Sequence, residues 1–131
     1  MSTIVLSEDR LKRAGKPRRD ARVLGRLAIE RLMGHLGLSQ DEVGRMLRVT
    51  GESVRRWKSG AIAIPLSRLA EITAAESALN RLLKVFRPER LPLAIRRKAE
   101  LFGGKRALDW ILNGRIAEVA DRYELSLAYQ T

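Results

Sequence analysis

The chain has 131 residues, which suffices for one compact domain or for a small domain with helical appendages. Its 26 Lys and Arg residues against 15 Asp and Glu give a net charge of +11, which favours nucleic acid as partner and leaves acidic proteins or membrane surfaces open. The absence of cysteine excludes disulfides and thiolate metal sites, and His35, the one histidine, offers little for a zinc site or a catalytic triad. We therefore expect a cytoplasmic protein with no metal, no cofactor and no enzymatic activity.

Residues 1–19 predict a flexible basic arm, because Ser7, Gly15 and Pro17 alternate with Lys and Arg and little apolar periodicity is present. Such an arm could grip phosphates or only keep the chain soluble. The apolar run at residues 4–6 is too short for a signal peptide, and no later stretch approaches the ~20 apolar residues of a membrane span.

Three amphipathic helices are predicted between residues 20 and 60. The first has Asp20 as N-cap and stops at Gly37, and its apolar positions are Leu24, Leu27, Ala28, Leu32 and Leu36. Ser39 caps the second, where Glu42 completes a capping box, and Thr50 caps the third. The residues expected to face the core from these two short helices are Val43, Met46, Leu47, Val54 and Trp57.

A longer helix is predicted from Pro65 to Phe86, and its apolar side carries Leu69, Ile72, Leu79, Leu82 and Leu83. Beyond Pro88 the pattern stays helical, with glycine turns at residues 103–104 and 113–114. No segment shows strand alternation. The sequence thus predicts an all-α protein, with a helix-turn-helix bundle at residues 20–87 and a second, small helical unit at residues 88–131.

The stretch LSQDEVGRMLRVTGESVRRWKSG, residues 38–60, predicts a helix, a tight turn and a second helix. Gly44 supplies the small residue needed where the two helices cross closely. Val54 and Trp57 pack into the core and so fix the position of the second helix. We expect the Trp57 indole to belong to the core and not to stack on bases. The opposite face of the second helix is polar and basic, which is what a DNA major groove accepts.

This stretch resembles the Xre-type helix-turn-helix of phage repressors and antitoxins. Arg48 stands where that family often has a turn glycine, so either it adopts a backbone conformation unfavourable for a side chain or the turn differs slightly from that of the family. The resemblance implies phosphate contacts by Ser39, Gln40, Thr50 and Lys58, base contacts by Glu52, Ser53 and Arg56, and either kind by Arg55. For Glu52 a second interpretation stays open, since a glutamate in a first helical turn also complements the helix dipole.

The segment AELFGGKRALDWILNGRIAEVADRYE, residues 99–124, resembles the toxin-binding domain of the Xre/MbcA/ParS antitoxins. The matching positions are Phe102, Gly103, Gly104, Lys105, Leu108, Ile111, Leu112, Gly114, Glu118 and Val119. Members of that family also carry an N-terminal helix-turn-helix and a long helix. The resemblance implies a protein that represses its own operon. It also implies that the C-terminal unit, residues 88–131, covers the active site of a RES-domain or ParT-type toxin, which attacks NAD or transfers ADP-ribose. The implied toxin contacts are Gly103, Gly104, Lys105, Arg106, Trp110, Asn113, Tyr123 and Tyr129.

The last predicted helix carries an apolar stripe formed by Tyr123, Leu125, Leu127 and Tyr129. The short C-terminal unit offers too little surface to bury this stripe easily. It should meet a partner or a second subunit, and a homodimer would place two recognition helices about 34 Å apart on double-stranded operator DNA. The alternative is a stand-alone repressor whose tail only dimerises and whose glycine pairs are ordinary turns. An enzyme is disfavoured, because the sequence shows no Ser-His or metal constellation.

Overall fold

The computed structural model describes residues 17–130, and the side chains of residues 21–129. Over this range the chain forms seven α-helices and one 3₁₀-helix. They are α1 (Pro17–Leu36), α2 (Gln40–Leu47), α3 (Gly51–Ser59), α4 (Leu66–Val85), α5 (Leu91–Ala94), the 3₁₀-helix (Glu100–Phe102), α6 (Ala107–Leu112) and α7 (Ile116–Gln130). The predicted all-α fold is confirmed. None of these helices is long and apolar enough to cross a membrane.

Helix α1 differs from its prediction in both its start and its buried face. It is helical from Pro17, the first residue described, so Asp20 lies inside the helix and is not its N-cap. Residues 1–16, most of the predicted arm, lie outside the described range. The core side of α1 is formed by Gly25, Ala28, Ile29, Leu32 and Leu36. The prediction was wrong for Leu24 and Leu27, which are 64% and 49% exposed.

The close approach of α1 to the start of α4 decides which face of α1 is buried. A Cβ atom at Gly25 would lie 2.6 Å from Cδ2 of Leu69 and 3.0 Å from Cδ1 of Ile64. The buried positions continue from this contact at helical spacing, and Leu24 and Leu27 fall outside that stripe. Periodicity within α1 shows that the helix has an apolar stripe. The contact with α4 determines which of these apolar residues are buried.

Helix α4 packs against both α1 and α7. Its buried residues are Leu69, Ile72, Ala75, Ala78, Leu79 and Leu82, which confirms the predicted apolar side, and Leu83 is half-buried. Ion pairs accompany the packing of α4 against α1 and against α7. Nη1 of Arg31 in α1 lies 2.9 Å from Oε2 of Glu76, and Nη2 of Arg81 lies 2.5 Å from both Oδ1 of Asp121 and Oε1 of Glu124 in α7. Helix α4 therefore joins the first and last helices.

Arg96 connects the C-terminal half of the chain to the end of α1. Its Nη1 donates to the carbonyl oxygen of Leu36 at 2.8 Å, and its Nη2 donates to that of Gly37 at 2.8 Å. The last carbonyl groups of a helix have no partner within the helix, so this guanidinium satisfies two of them. Buried side chains from residues 20–87 and 88–131, such as Leu36 and Ile111, belong to one continuous hydrophobic core. The domain boundary at residue 88 stays a prediction.

Candidate nucleic-acid and partner surfaces

The turn between α2 and α3 brings their backbones into contact at Gly44. A Cβ atom there would lie 2.6 Å from the carbonyl oxygen of Val49 and 3.0 Å from the backbone nitrogen of Gly51. Both neighbours are backbone atoms, so they cannot move aside unless the turn itself shifts. The predicted need for a small residue at this crossing is confirmed.

Arg48 ends α2 in the left-handed conformation, with φ 59° and ψ 44°. Its backbone N–H donates to the carbonyl oxygen of Arg45 at 3.3 Å, and that of Val49 donates to Gly44 at 2.8 Å. Residues with a Cβ rarely adopt this conformation, because the Cβ atom crowds the following carbonyl oxygen. Of the two alternatives left open for Arg48, the structure shows the unfavourable backbone conformation.

Helix α3 turns one face to the core and the other to solvent. Val54 is fully buried and Trp57 is 5% exposed, so the indole is a core group, as predicted. Oγ1 of Thr50 caps the helix by accepting the backbone N–H of Ser53 at 3.1 Å. The accessible side chains of the cap and the helix include six of the predicted DNA contacts: Thr50, Glu52, Ser53, Arg55, Arg56 and Lys58. Their role at DNA stays a prediction.

Glu52 binds two arginines of α3 at once. Arg55 donates from Nε to Oε2 at 2.9 Å and from Nη2 to Oε1 at 2.5 Å, and Arg56 donates from Nε to Oε1 at 3.0 Å. The hydrogen bonds from Arg55, with a smaller part from Arg56, lower the pKa of Glu52 from 4.5 to about 2. The same contact raises the pKa of Arg55. Glu52 is therefore a carboxylate at any pH at which the protein would meet DNA.

Ser39 and Gln40 lie at the start of α2. The predicted capping box is confirmed: Oγ of Ser39 accepts the backbone N–H of Glu42 at 3.1 Å, and the backbone N–H of Ser39 donates to Oε1 of Glu42 at 3.0 Å. Ser39 is exposed and Gln40 is half-buried. Both can be reached by a phosphate that approaches the positive end of the α2 dipole.

The C-terminal half presents a double-glycine turn beside a basic aromatic cluster. Gly103 and Gly104 have φ values of 66° and 81°, and no atom lies within 4 Å of a Cβ at either position, so the backbone conformation and not crowding requires glycine here. Nearby, the guanidinium carbons of Arg115 and Arg122 lie 4.0 Å and 4.6 Å from the ring centroid of Trp110. We call Trp110, Arg115 and Arg122 the Trp110 cluster.

The two tyrosines predicted to contact a toxin have different surroundings. The ring of Tyr123 packs edge-on against Phe86 and Phe102, with centroids 4.8 Å and 5.1 Å apart, and burial raises the pKa of its hydroxyl. Tyr129 is 88% exposed and lines an open groove of about 650 Å³ together with Leu101, Arg122, Leu125 and Ser126. Through Arg122, this groove adjoins the Trp110 cluster.

The remaining predicted toxin contacts do not line this groove. Asn113 lines a separate cleft of about 290 Å³ between α2, α4 and α7, which Met46 and Glu71 also line. Lys105 is exposed, and Nη2 of Arg106 lies 2.7 Å from Oδ1 of Asp109. The hydrogen bonds from Arg106 lower the pKa of Asp109. Arg106 therefore stabilises the start of α6.

Comparison with solved structures shows a likeness in fold. No family model matches the chain, and no curated protein matches its sequence. The crystal structure of the M. tuberculosis MbcT–MbcA toxin–antitoxin complex contains a chain that superposes on this one with a TM-score of 0.57. The two chains share a fold. The match covers 81% of this chain and 96% of that chain, at 20% sequence identity.

Sequence reasoning missed Arg115 and Arg122 as site residues. Their spacing of seven residues is two turns of a helix, so it could have placed both on one face, next to a helix that carries a tryptophan. Arg122 also donates from Nη1 to the carbonyl oxygen of Leu101 at 3.2 Å. Among the residues that the structure describes, no group of His, Asp or Glu side chains could hold a metal ion.

Proposed function

We propose that this protein is the antitoxin of a toxin–antitoxin pair. Its α2–α3 unit binds the operator DNA of its own operon, and its C-terminal surface covers the active site of a RES-domain or ParT-type toxin. The observation that carries the proposal is the fold shared with a chain of the MbcT–MbcA complex over 81% of this chain. In this function the protein is a cytoplasmic homodimer without cofactor or catalysis of its own.

The accessible face of α3 supports the DNA-binding half of the proposal. Helix α3 is short, and its exposed side carries Arg55 and Arg56. On the opposite side, Val54 and Trp57 are buried in the core. A helix of this kind fits a major groove, where arginine pairs with guanine through two parallel hydrogen bonds. The net charge of +11 attracts the duplex before any base is contacted.

Fluorescence anisotropy tests this half with a duplex that carries the region upstream of the gene for this protein. Lys58→Ala and Gln40→Ala should weaken binding to every duplex alike, whereas Arg56→Ala should relax the preference at one base pair, worth ~1–3 kcal/mol. Arg97→Ala is the matched control, since Arg97 is exposed and lies outside α3. Affinity should fall steeply with salt, by about 0.9 log units of affinity per log unit of salt for each phosphate contacted. Salt-independent binding would contradict the proposal.

The groove beside the Trp110 cluster supports the toxin-binding half. Tyr129 is exposed to 88% and Leu125 to 57%, and both line the groove with Arg122. Exposed aromatic and apolar side chains next to arginines are the composition of protein–protein interfaces. A toxin that buries this groove would remove apolar surface from water and meet positive charge at its edge.

Co-expression with the product of the adjacent gene tests the toxin-binding half. Tyr129→Asp and Trp110→Ala should reduce co-purification and release the toxic activity, because the first removes the exposed ring of the groove and the second removes the half-buried indole against which Arg115 and Arg122 lie. Leu93→Asp is the control, since Leu93 is 66% exposed and does not line the groove. If no adjacent gene product binds, the alternative of a stand-alone repressor whose C-terminal segment only dimerises is favoured. If Leu93→Asp acts as strongly, the groove is not the surface that binds the toxin.

A further inference from the structure

Glu52 lies in the first turn of α3, on the exposed side of the helix. The buried residues Val54 and Trp57 lie on the opposite side of this helix, and Arg55 and Arg56 follow Glu52 at spacings of three and four residues. An acidic side chain at this place faces the phosphates of any duplex that α3 enters, so by itself it opposes binding. Its presence on a basic face needs an explanation.

The hydrogen bonds of Glu52 leave little room for the two roles that the sequence suggests. A carboxylate has about four acceptor positions, and Arg55 and Arg56 occupy three of them with the N–H groups described above. A direct contact to a cytosine amino group would have to compete with these charged donors. Complementing the helix dipole requires only a negative charge in the first turn, and it does not account for the contacts to both arginines.

The donors that Glu52 uses lie on the Nε side of each guanidinium. Arg55 contributes Nε and Nη2, and Arg56 contributes Nε. A guanidinium has five N–H groups, so the terminal edge, with one N–H from each Nη, stays available on both arginines. This terminal edge is one that can pair with O6 and N7 of guanine. The carboxylate thus restrains each long side chain without blocking the group that would read a base.

We infer that Glu52 is a positioning residue, which holds the guanidinium groups of Arg55 and Arg56 so that their terminal edges read guanine, and which itself contacts no base. This inference rests on the proposed binding of α3 in a major groove. Glu52 increases selectivity, because the arginines are ordered before the duplex arrives. It also reduces binding to unrelated duplexes, because it lowers the positive charge of the face.

The experiment starts with selection of preferred sequences from a randomised pool of duplexes by the full-length protein. Anisotropy titrations then compare the wild type, Glu52→Ala and Glu52→Gln on the selected duplex, on its single base-pair variants and on an unrelated duplex. We expect Glu52→Ala to bind the unrelated duplex more tightly and to lose about ten-fold of the preference for guanine at the arginine-read positions. Glu52→Gln, which keeps an acceptor oxygen, should lose less.

Two controls separate positioning from other effects. Glu71→Ala also removes a glutamate that pairs with an arginine three residues away, Arg68, but in α4, and should leave the sequence preference unchanged. In a chain that already carries Arg55→Ala and Arg56→Ala, Glu52→Ala should cause no further loss of preference, because it acts only through the arginines. Helical circular dichroism of each variant verifies that α3 is folded.

The results that overturn the inference differ from those that overturn the proposed function. If Glu52→Ala loses its preference at a base pair whose preference does not depend on Arg55 or Arg56, Glu52 contacts that base directly. Unchanged preference in both Glu52 variants would show that the arginines need no positioning. If the wild-type protein selects no sequence at all, the proposed function fails, and the inference fails with it.

Discussion

The contact between α2 and α3 at Gly44 gives a sharp stability prediction. Replacing Gly44 by Ala places a Cβ atom 2.6 Å from the carbonyl oxygen of Val49, and such overpacking costs about 1–3 kcal/mol. Alanine also has the better helix propensity, which returns up to about 1 kcal/mol. Gly34→Ala provides the matched control, because Gly34 lies in α1 with no atom within 4 Å of its added Cβ. It receives the propensity gain alone.

The difference between these two variants isolates the steric term, because the propensity gain is common to both. Gly34→Ala should be more stable than the wild type by up to about 1 kcal/mol, and Gly44→Ala should be about 1–3 kcal/mol less stable than Gly34→Ala. Urea unfolding followed by circular dichroism measures both free energies. Equal stability of the two variants would mean that the backbones of α2 and α3 do not approach as closely as described.

Three further predictions concern other parts of the chain. Arg48→Gly should stabilise the protein by about 1 kcal/mol in urea unfolding, because glycine adopts the left-handed conformation freely, whereas Arg45→Gly inside α2 should destabilise it by about as much. Ile111→Ala should cost about 2–5 kcal/mol in the same assay, since Ile111 is fully buried. Arg81 lowers the pKa of Glu124 below 4.5, so this pair stabilises the fold above that pH and ceases to do so as the pH falls through the lowered value. Arg81→Met should therefore reduce the acid sensitivity of the melting temperature, and an unchanged pH profile would contradict this ion pair.

Features that depend on neighbouring residues could be predicted from the sequence. The capping box at Ser39, the glycine contact at Gly44 and the backbone of Arg48 all arise within about a dozen residues. In each case a local steric or hydrogen-bonding requirement decides the outcome. The burial of Trp57 follows in the same way, because its distance of three residues from Val54 fixes a common helix face.

Features that depend on distant contacts could not be predicted. The exposure of Leu24 and Leu27 follows from where α4 crosses α1, and periodicity within α1 carries no information on that crossing. The rings that pack against Tyr123 come from residues 86 and 102, so its half-burial needs the complete fold. For Glu52 the spacing to Arg55 and Arg56 is visible in the sequence, but only side-chain geometry distinguishes pairing from base contact or from a dipole effect.

The two hydrogen bonds that Arg96 makes to the last turn of α1 have a consequence for truncation. A fragment ending at residue 87 keeps α1 to α4, yet it returns the carbonyl groups of Leu36 and Gly37 to water and uncovers the side of α4 that packs against α7. Such a fragment would fray at the junction just before Ser39, where α2 begins. Transfer of residues 17–87 to another protein would therefore require residues 88–130 as well.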